Sequence, residues 1–167
     1  MNSKNILSSI IWVLTAGSQL LATLLLYDPE ASSTRANLGW LLILASAVLV
    51  WLPVFTLRGR GVIDGESYID TTALVDRGIY SIVRHPQYLA GMLISIAAPL
   101  ITWHWLVVAL GIASLGLYWW SAGQEEEDNL EKFGAAYRDY QQRVPRFNFI
   151  LGLIRKFRKQ KGREGDE

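Results

Sequence analysis

Two charged clusters frame the longest uncharged stretch of this sequence. Arg84 and His85 stand directly before Pro86, and the acidic run Glu125–Glu127 follows a stretch, Gln87–Gln124, that contains no Asp, Glu, Lys or Arg. A guanidinium and an imidazole bind anionic groups, whereas carboxylates accept hydrogen bonds from ammonium and hydroxyl groups. If the two clusters lie close together, they would suit a ligand that carries groups of both kinds.

The uncharged stretch predicts how the two clusters would meet. Its core, Tyr88–Trp120, has 33 residues, which is too long for one membrane span of roughly 20 residues and short for two. The segment APLITWHW at 98–105 contains a proline and two tryptophans, as a turn at a membrane interface would. We therefore predict a helical hairpin whose two ends lie on the same side of the membrane.

Small residues are expected to pack the two arms of this hairpin against each other. They recur at helical spacing: Gly91, Ser95 and Ala98 on the first arm, and Ala109, Ala113 and Gly116 on the second. Such stripes allow helices to approach closely in lipid. At the entrance of the hairpin, Pro86 suits the first turn of a helix, where free backbone N–H groups favour an anion.

Two further uncharged segments precede the hairpin, Ile6–Tyr27 and Asn37–Leu57. Each reaches the length of a membrane span, and the first exceeds the roughly 7–15 residues of a cleaved signal core. We therefore predict an all-α fold, an integral membrane helical bundle of about four transmembrane segments. Basic residues in 58–86 and in the tail place both regions, and both termini, on the cytoplasmic side.

The region after the hairpin is polar and predicts a cytoplasmic C-terminal amphipathic helix over 125–143. Its apolar residues recur at steps of three or four: Leu130, Phe133, Tyr137, Tyr140 and Val144. Gly134 weakens this helix and Pro145 ends it, and six basic residues lie within 155–163. The predicted single domain 1–167 thus comprises two N-terminal transmembrane helices (1–57), a cytoplasmic loop (58–86), the transmembrane hairpin (87–120), and the cytoplasmic helix with its basic tail (121–167).

Composition excludes several classes of site. The chain has no cysteine and only two histidines, so a disulfide or zinc-thiolate site is impossible and we predict no metal site. Its net charge is +1, which gives no overall field toward nucleic acid. The expected partners are membrane lipids and a lipophilic small-molecule or lipid-modified acceptor, and the sequence does not determine an oligomeric state.

S-adenosylmethionine is one ligand that would suit both charged clusters. It carries a carboxylate for the basic cluster, and an ammonium, a sulfonium and a ribose diol for the acidic cluster. The other interpretation is a salt bridge between Arg84 and a glutamate that closes the hairpin. Spacing alone leaves both interpretations open, because basic and acidic residues flank many membrane hairpins.

An ordered set of motifs resembles the isoprenylcysteine carboxyl methyltransferase and phospholipid methyltransferase family of membrane enzymes. The chain carries GIYSIVRHPQYLAG at 78–91, and EEEDNLEKFGAAYRDYQQRVPRF follows about 35 residues later. The resemblance covers roughly 74–148, and a family of this kind uses S-adenosylmethionine as its cofactor. Gly91 comes one residue later than the tightest form of the pattern, and counting back from Phe133 favours Glu125 and Glu126 as the functional acidic pair.

The resemblance implies roles for six side chains, and the chemistry of the acceptor suggests three more. The cofactor would be held by Tyr80, Arg84, His85, Tyr88, Glu125 and Glu126. The residues assigned to the acceptor and to catalysis are Tyr137, Arg138 and Arg146, because an acceptor carboxylate needs a cation to hold it. Tyr137 also suits packing on one face of the tail helix, and the two arginines also suit a solvated surface.

We expect a membrane methyltransferase that moves a methyl group from S-adenosylmethionine to a lipophilic acceptor, such as the carboxylate of a prenylcysteine-like substrate. A phospholipid amine N-methyltransferase is an alternative, although a protonated amine would need a base. The same resemblance reaches membrane sterol reductases, so an NADPH-dependent reductase is a second alternative. A non-catalytic membrane protein is the third, and the ordered motif argues against it.

Overall fold

A computed structural model describes residues 3–30, 33–58 and 74–164 of the chain. These residues form six α-helices and no strand: α1 Ser3–Leu25, α2 Ser33–Arg58, α3 Pro86–Thr102, α4 Trp105–Phe133, α5 Ala135–Arg143 and α6 Phe149–Glu164, with a short 3₁₀ helix at Gly78–Ser81. The all-α prediction is confirmed for this part of the chain. Residues 59–73 of the predicted cytoplasmic loop lie outside the described residues.

Two helices have the length and hydropathy of a membrane span, Thr34–Thr56 and Trp105–Phe133. At 1.5 Å per residue even the shorter of them exceeds a hydrocarbon core of about 30 Å. Only 22% and 33% of their most apolar windows are buried, so these helices expose apolar side chains that a water-soluble fold would cover. Leu14–Leu25 and Pro86–Thr102 are shorter apolar helices, and the four-span topology therefore stays a prediction.

The described chain divides into two compact units, and each is internally packed. The first unit comprises Met1–Leu49 and Gln87–Glu126, and the second comprises Val50–Pro86 and Glu127–Glu167. In the first unit, buried Gln19 of α1 donates hydrogen bonds to the carbonyl oxygens of Ser95 (3.0 Å) and Val107 (3.5 Å). A polar side chain buried among helices needs such partners, so Gln19 ties α1 to both arms of the hairpin.

The predicted hairpin turn lies where the proline and tryptophan pattern places it. α3 begins at Pro86, as predicted, and ends at Thr102, and α4 starts at Trp105. Trp103 has a φ of 50°, a left-handed conformation that costs roughly 1–2 kcal/mol for a residue with a side chain. The guanidinium of Arg35 lies 4.8 Å from the Trp103 ring centroid and its Nε donates to the carbonyl of Leu100 at 2.8 Å. Arg35 therefore stabilises this strained turn.

The predicted small-residue stripe is correct for α3 and wrong for α4. Gly91, Ser95 and Ala98 are buried, but Ala109, Ala113 and Gly116 are exposed. The buried face of α4 instead carries Val107, Gly111, Ser114, Tyr118, Ser121, Ala122 and Glu126. A Cβ on Gly111 would lie 2.6 Å from the Ser95 carbonyl oxygen, so α3 approaches at Gly111. Both faces of α4 contain small residues, and spacing alone did not separate them.

In the second unit the predicted amphipathic face is present, but two helices share it. Tyr137, Tyr140 and Val144 are buried together, and Leu74, Leu130 and Phe133 pack against them. α4 runs without a break from the hairpin through the acidic residues to Phe133, so no separate helix begins near residue 125. Gly134 has φ 55° and ψ −125°, which favours glycine, and it separates α4 from α5.

Candidate ligand-binding site

A short backbone pairing in the second unit positions Arg84 and His85. The backbone N–H groups of Arg84 and His85 donate to the carbonyl oxygens of Pro145 (3.1 Å) and Arg146 (3.3 Å). The His85 side chain is 4% exposed, and its ring centroid lies 6.0 Å from that of Phe147. The motif before α3 and the motif after α5 are therefore neighbours in space, although about sixty residues separate them in sequence.

Arg84 lines a shallow, wide-open surface cavity in this unit. The other lining residues are Leu130, Arg138, Gln141 and Gln142. Arg84 Nη1 donates to the Gln141 carbonyl oxygen at 2.8 Å, which fixes the guanidinium at the wall. Among the described residues the lining contributes two guanidiniums and no carboxylate, a charge pattern that attracts a carboxylate or another anion. We call this cavity the Arg84 pocket.

Tyr140 fixes the 3₁₀ helix that carries Tyr80. The Tyr140 hydroxyl donates to the Tyr80 carbonyl oxygen at 2.7 Å, and the Tyr140 side chain is 3% exposed. Burial raises the pKa of Tyr140 well above its usual value, and the neighbouring Tyr137 adds to this effect. Tyr140 therefore stays neutral and acts as a hydrogen-bond donor that positions the backbone four residues before Arg84.

A second polar cluster lies within the first unit, between α3 and α4. The Tyr88 side chain hydrogen-bonds with the Glu125 carboxylate, and its ring centroid lies 6.2 Å from that of Tyr118. Gly91 makes room for this arrangement, because a Cβ there would collide with the Tyr118 ring. We call Tyr88, Tyr118 and Glu125 the tyrosine–glutamate cluster.

Burial distinguishes the three consecutive glutamates. Glu126 is 4% exposed, whereas Glu125 and Glu127 are exposed. A carboxylate is rarely buried without a partner or a function because desolvation of its charge is costly. Among the three glutamates, Glu126 is therefore the one whose burial indicates a functional or structural role. It also belongs to the pair, Glu125 and Glu126, that counting back from Phe133 favours.

The same buried face of α4 contains two serines with unusual surroundings. Ser114 and Ser121 are 1% and 6% exposed, and their hydroxyl oxygens have no hydrogen-bond partner among the described residues. Buried hydroxyl groups normally find one. Tyr118 lies between these serines in sequence, so the buried face of α4 carries three hydroxyl groups.

The nine predicted site residues fall into different surroundings. Arg84 and Arg138 meet in the Arg84 pocket, and Tyr88 meets Glu125 in the tyrosine–glutamate cluster. Arg146 is half-buried and its carbonyl pairs with His85. Tyr137 is 2% exposed within the hydrophobic cluster of α5, and its assignment to the acceptor stays a prediction.

Sequence reasoning did not single out Tyr118, Gln141 or Gln142. Tyr118 precedes Glu125 by seven residues, two helical turns, and this spacing was the available signal. Gln141 and Gln142 follow the last tyrosine of the motif, and Gln141 holds Arg84 through its backbone carbonyl. A contact made by a backbone atom leaves no residue-type signal, so only the structure shows it.

The described part of the chain thus combines two apolar helices of membrane-spanning length with two polar clusters, one of which contains two guanidiniums. The phospholipid methyltransferase family matches residues 34–137, which include both the RHP motif and the acidic run. The chain belongs to the phospholipid methyltransferase family. The resemblance stated from the motifs is therefore confirmed.

A curated relative supports the same family. Methanethiol S-methyltransferase 2 of Bradyrhizobium diazoefficiens is 35% identical over 109 residues, which are 65% of this chain and 41% of that protein. The chain therefore spans less than half the length of this relative. No solved structure matches the chain.

Proposed function

We propose that the chain is a membrane methyltransferase that uses S-adenosylmethionine and acts on a lipophilic acceptor. The observation that carries the proposal is the Arg84 pocket, a cavity with two guanidiniums in a member of the phospholipid methyltransferase family. The curated relative is also named as a methyltransferase, which supports methyl transfer over NADPH-dependent reduction.

The described side chains fit the charges of S-adenosylmethionine. In the second unit, Arg84 is suited to the methionyl carboxylate, which a guanidinium can bind through two parallel hydrogen bonds. In the first unit, Glu125 and Glu126 offer carboxylates for an ammonium or a ribose diol. The expectation that the entrance and the exit of the hairpin meet around one ligand remains a prediction.

For methyl transfer, this chain has mainly to align the methyl donor with the acceptor. When bound, S-adenosylmethionine supplies a methyl carbon that its sulfonium already activates for displacement. Holding the two reactants in line can lower the barrier by about 7–11 kcal/mol. Arg138 is exposed in the same pocket as Arg84, and we assign it to an acceptor carboxylate. Such a carboxylate is ionised at neutral pH, so the new C–O bond forms as the S–C bond breaks and no base is needed.

A thiol is the second candidate acceptor. The curated relative is named for methanethiol, and a simple alkanethiol is mostly protonated at neutral pH, because its pKa lies above the value of about 8.5 for a cysteine thiol. A guanidinium such as that of Arg138 would favour the thiolate by the same attraction that holds a carboxylate. Transfer would then form a C–S bond, and the product would be a thioether rather than an ester.

The two acceptors leave chemically different products. Membranes that contain the protein would be incubated with S-adenosylmethionine tritiated at the methyl group, and with either a farnesylcysteine derivative or a long-chain thiol. Mild base releases methanol from a methyl ester but not from a thioether or a methylated amine. We expect base-labile radioactivity with the farnesylcysteine derivative. Base-stable product with the thiol alone would instead assign S-methylation.

We also propose a topology for the whole chain. Four transmembrane segments would be followed by the cytoplasmic helices, with both termini and the ligand site on the cytoplasmic side. The charge distribution supports this arrangement, because the basic residues fall on the sides that the positive-inside rule assigns to the cytoplasm. A water-soluble cofactor would then enter from the cytosol and a lipophilic acceptor from the bilayer.

A further inference from the structure

The last helix exposes an apolar arc that nothing in the second unit covers among the described residues. Ile150, Ile154 and Phe157 of α6 are 72%, 46% and 61% exposed. An α-helix turns by about 100° per residue, so these three side chains lie within roughly 60° of one another. Apolar side chains grouped in this way form a patch, whereas single exposed ones need no explanation.

Gly152 fixes the direction in which this arc points. On the helical wheel it lies roughly opposite the centre of the arc. A Cβ on Gly152 would collide with the carbonyl oxygen of Ile82, so the backbone of α6 rests directly on the segment that leads to Arg84. The apolar arc therefore points away from the segment against which α6 packs.

On the same helical wheel, Arg158 lies about 70° from the centre of the arc, and Arg155 and Lys156 lie about 130° from that centre on opposite sides of the helix. Arg155, Lys156 and Arg158 are exposed, and Arg155 Nη1 also donates to the Gln142 carbonyl oxygen at 3.2 Å. The sequence adds Lys159, Lys161 and Arg163, whose side chains lie outside the described residues. An apolar arc with Lys and Arg at its sides is the pattern of a helix that lies in a membrane interface.

We propose that α6 lies flat on an anionic membrane leaflet and inserts Ile150, Ile154 and Phe157 into its acyl boundary. Lys156 and Arg158 then lie near the lipid phosphates. Charge selects lipid over a second copy of this chain, because two copies joined through this arc would bring their cationic side chains together. Since α6 also rests on Ile82, membrane docking holds the segment that carries Arg84.

The absence of cysteine from the chain allows a direct test on the full-length protein. Ile154→Cys in the arc and Lys156→Cys outside it would each carry a nitroxide label, in vesicles of phosphatidylcholine alone or with about one third phosphatidylglycerol. Collisions with oxygen report lipid, and collisions with a water-soluble nickel chelate report water. We expect the label at residue 154 to favour oxygen, more strongly with anionic lipid, and the label at residue 156 to favour the chelate.

Other outcomes would overturn the proposal. Equal access of both labels to the chelate in both lipids would show that the arc faces water. Dipolar broadening between labels at residue 154, removed by dilution with unlabelled protein, would show that a second copy covers the arc. The double variant Lys156→Gln and Arg158→Gln tests the role of charge. In this variant the label at residue 154 should still favour oxygen, but its oxygen access should no longer differ between the two lipid compositions. An unchanged difference would contradict the role of these cations. None of these readouts depends on methyl transfer.

Discussion

At the scale of single residues, burial separates Glu126 from its acidic neighbours. Glu126→Gln is expected to weaken binding of S-adenosylmethionine roughly ten- to a hundredfold, because a hydrogen bond to a charged group contributes about 1.5–3 kcal/mol. Glu127→Gln is the matched control, since Glu127 is exposed and its replacement should leave affinity unchanged. Titration of radiolabelled cofactor onto purified protein measures both variants. Equal affinities of the two variants would remove Glu126 from the site.

Tyr140 gives a prediction about stability and pH. Its buried hydroxyl donates to the Tyr80 carbonyl oxygen, so Tyr140→Phe should lower the free energy of unfolding by about 0.5–1.5 kcal/mol. The pKa of Tyr140 is raised in the folded state by burial. Its contribution is therefore complete below the unfolded-state pKa of about 10 and decreases as pH rises above it, because only the unfolded state then loses the proton.

Unfolding of the parent protein and of Tyr140→Phe, followed in detergent between pH 8 and 11, measures this effect. The stability difference between the two proteins should be constant up to about pH 10 and then shrink. A difference that grows with pH would mean that the folded state favours the ionised tyrosine, contrary to the burial of this side chain.

The sequence singled out the charged candidates, whose roles stay predictions, but it did not indicate the framework around them. Arg84 and Glu126 stood out because they belong to the ordered set of motifs on either side of the uncharged stretch. Tyr118 did not stand out, because an aromatic residue near the end of a membrane helix is common. One partner of the Arg84 side chain is the backbone carbonyl of Gln141. Any residue type would supply a carbonyl, so no sequence pattern could have indicated this contact.

At the scale of helices, Gly91 decides how closely α3 and α4 approach. Gly91→Ala should destabilise the protein by about 1–3 kcal/mol, because the new methyl group collides with the Tyr118 ring and must displace it. Gly116→Ala is the matched control on α4, since a Cβ there meets nothing within 4 Å and alanine is the better helix former by about 1 kcal/mol. Thermal unfolding of both variants in the same detergent should therefore shift in opposite directions, and parallel shifts would contradict the observed packing face.

The helices show what periodicity can and cannot predict. The apolar face from Leu130 to Val144 was predicted correctly because one spacing fits one buried cluster. The packing face of α4 was predicted wrongly, because small residues occur on both sides of this helix. The close contact with the Ser95 carbonyl oxygen selects the side that carries Gly111, since a Cβ at that position would collide with the oxygen. The continuation of α4 to Phe133 was also missed, since a change from apolar to acidic composition does not by itself end a helix.

At the scale of the whole molecule, the charge distribution predicts orientation. A reporter fused after residue 167 should be active in the cytoplasm, and a reporter inserted between α1 and α2 should be exposed outside, because the basic residues lie in 58–86 and in the tail. Cytoplasmic signals at both positions would contradict the four-segment topology. They would leave the family assignment, which rests on the match over residues 34–137, unaffected.

This member of the phospholipid methyltransferase family is expected to bind S-adenosylmethionine and to use Arg84 to do so. Equilibrium binding of tritiated S-adenosylmethionine to the purified protein tests this expectation most directly, with unlabelled S-adenosylhomocysteine and NADPH as competitors. We expect saturable binding that S-adenosylhomocysteine displaces and NADPH does not. This binding should weaken roughly ten- to a hundredfold in Arg84→Ala and stay unchanged in Arg143→Gln, whose ion pair with Asp76 is exposed. Absence of binding to the folded parent protein, or displacement by NADPH alone, would contradict this expectation.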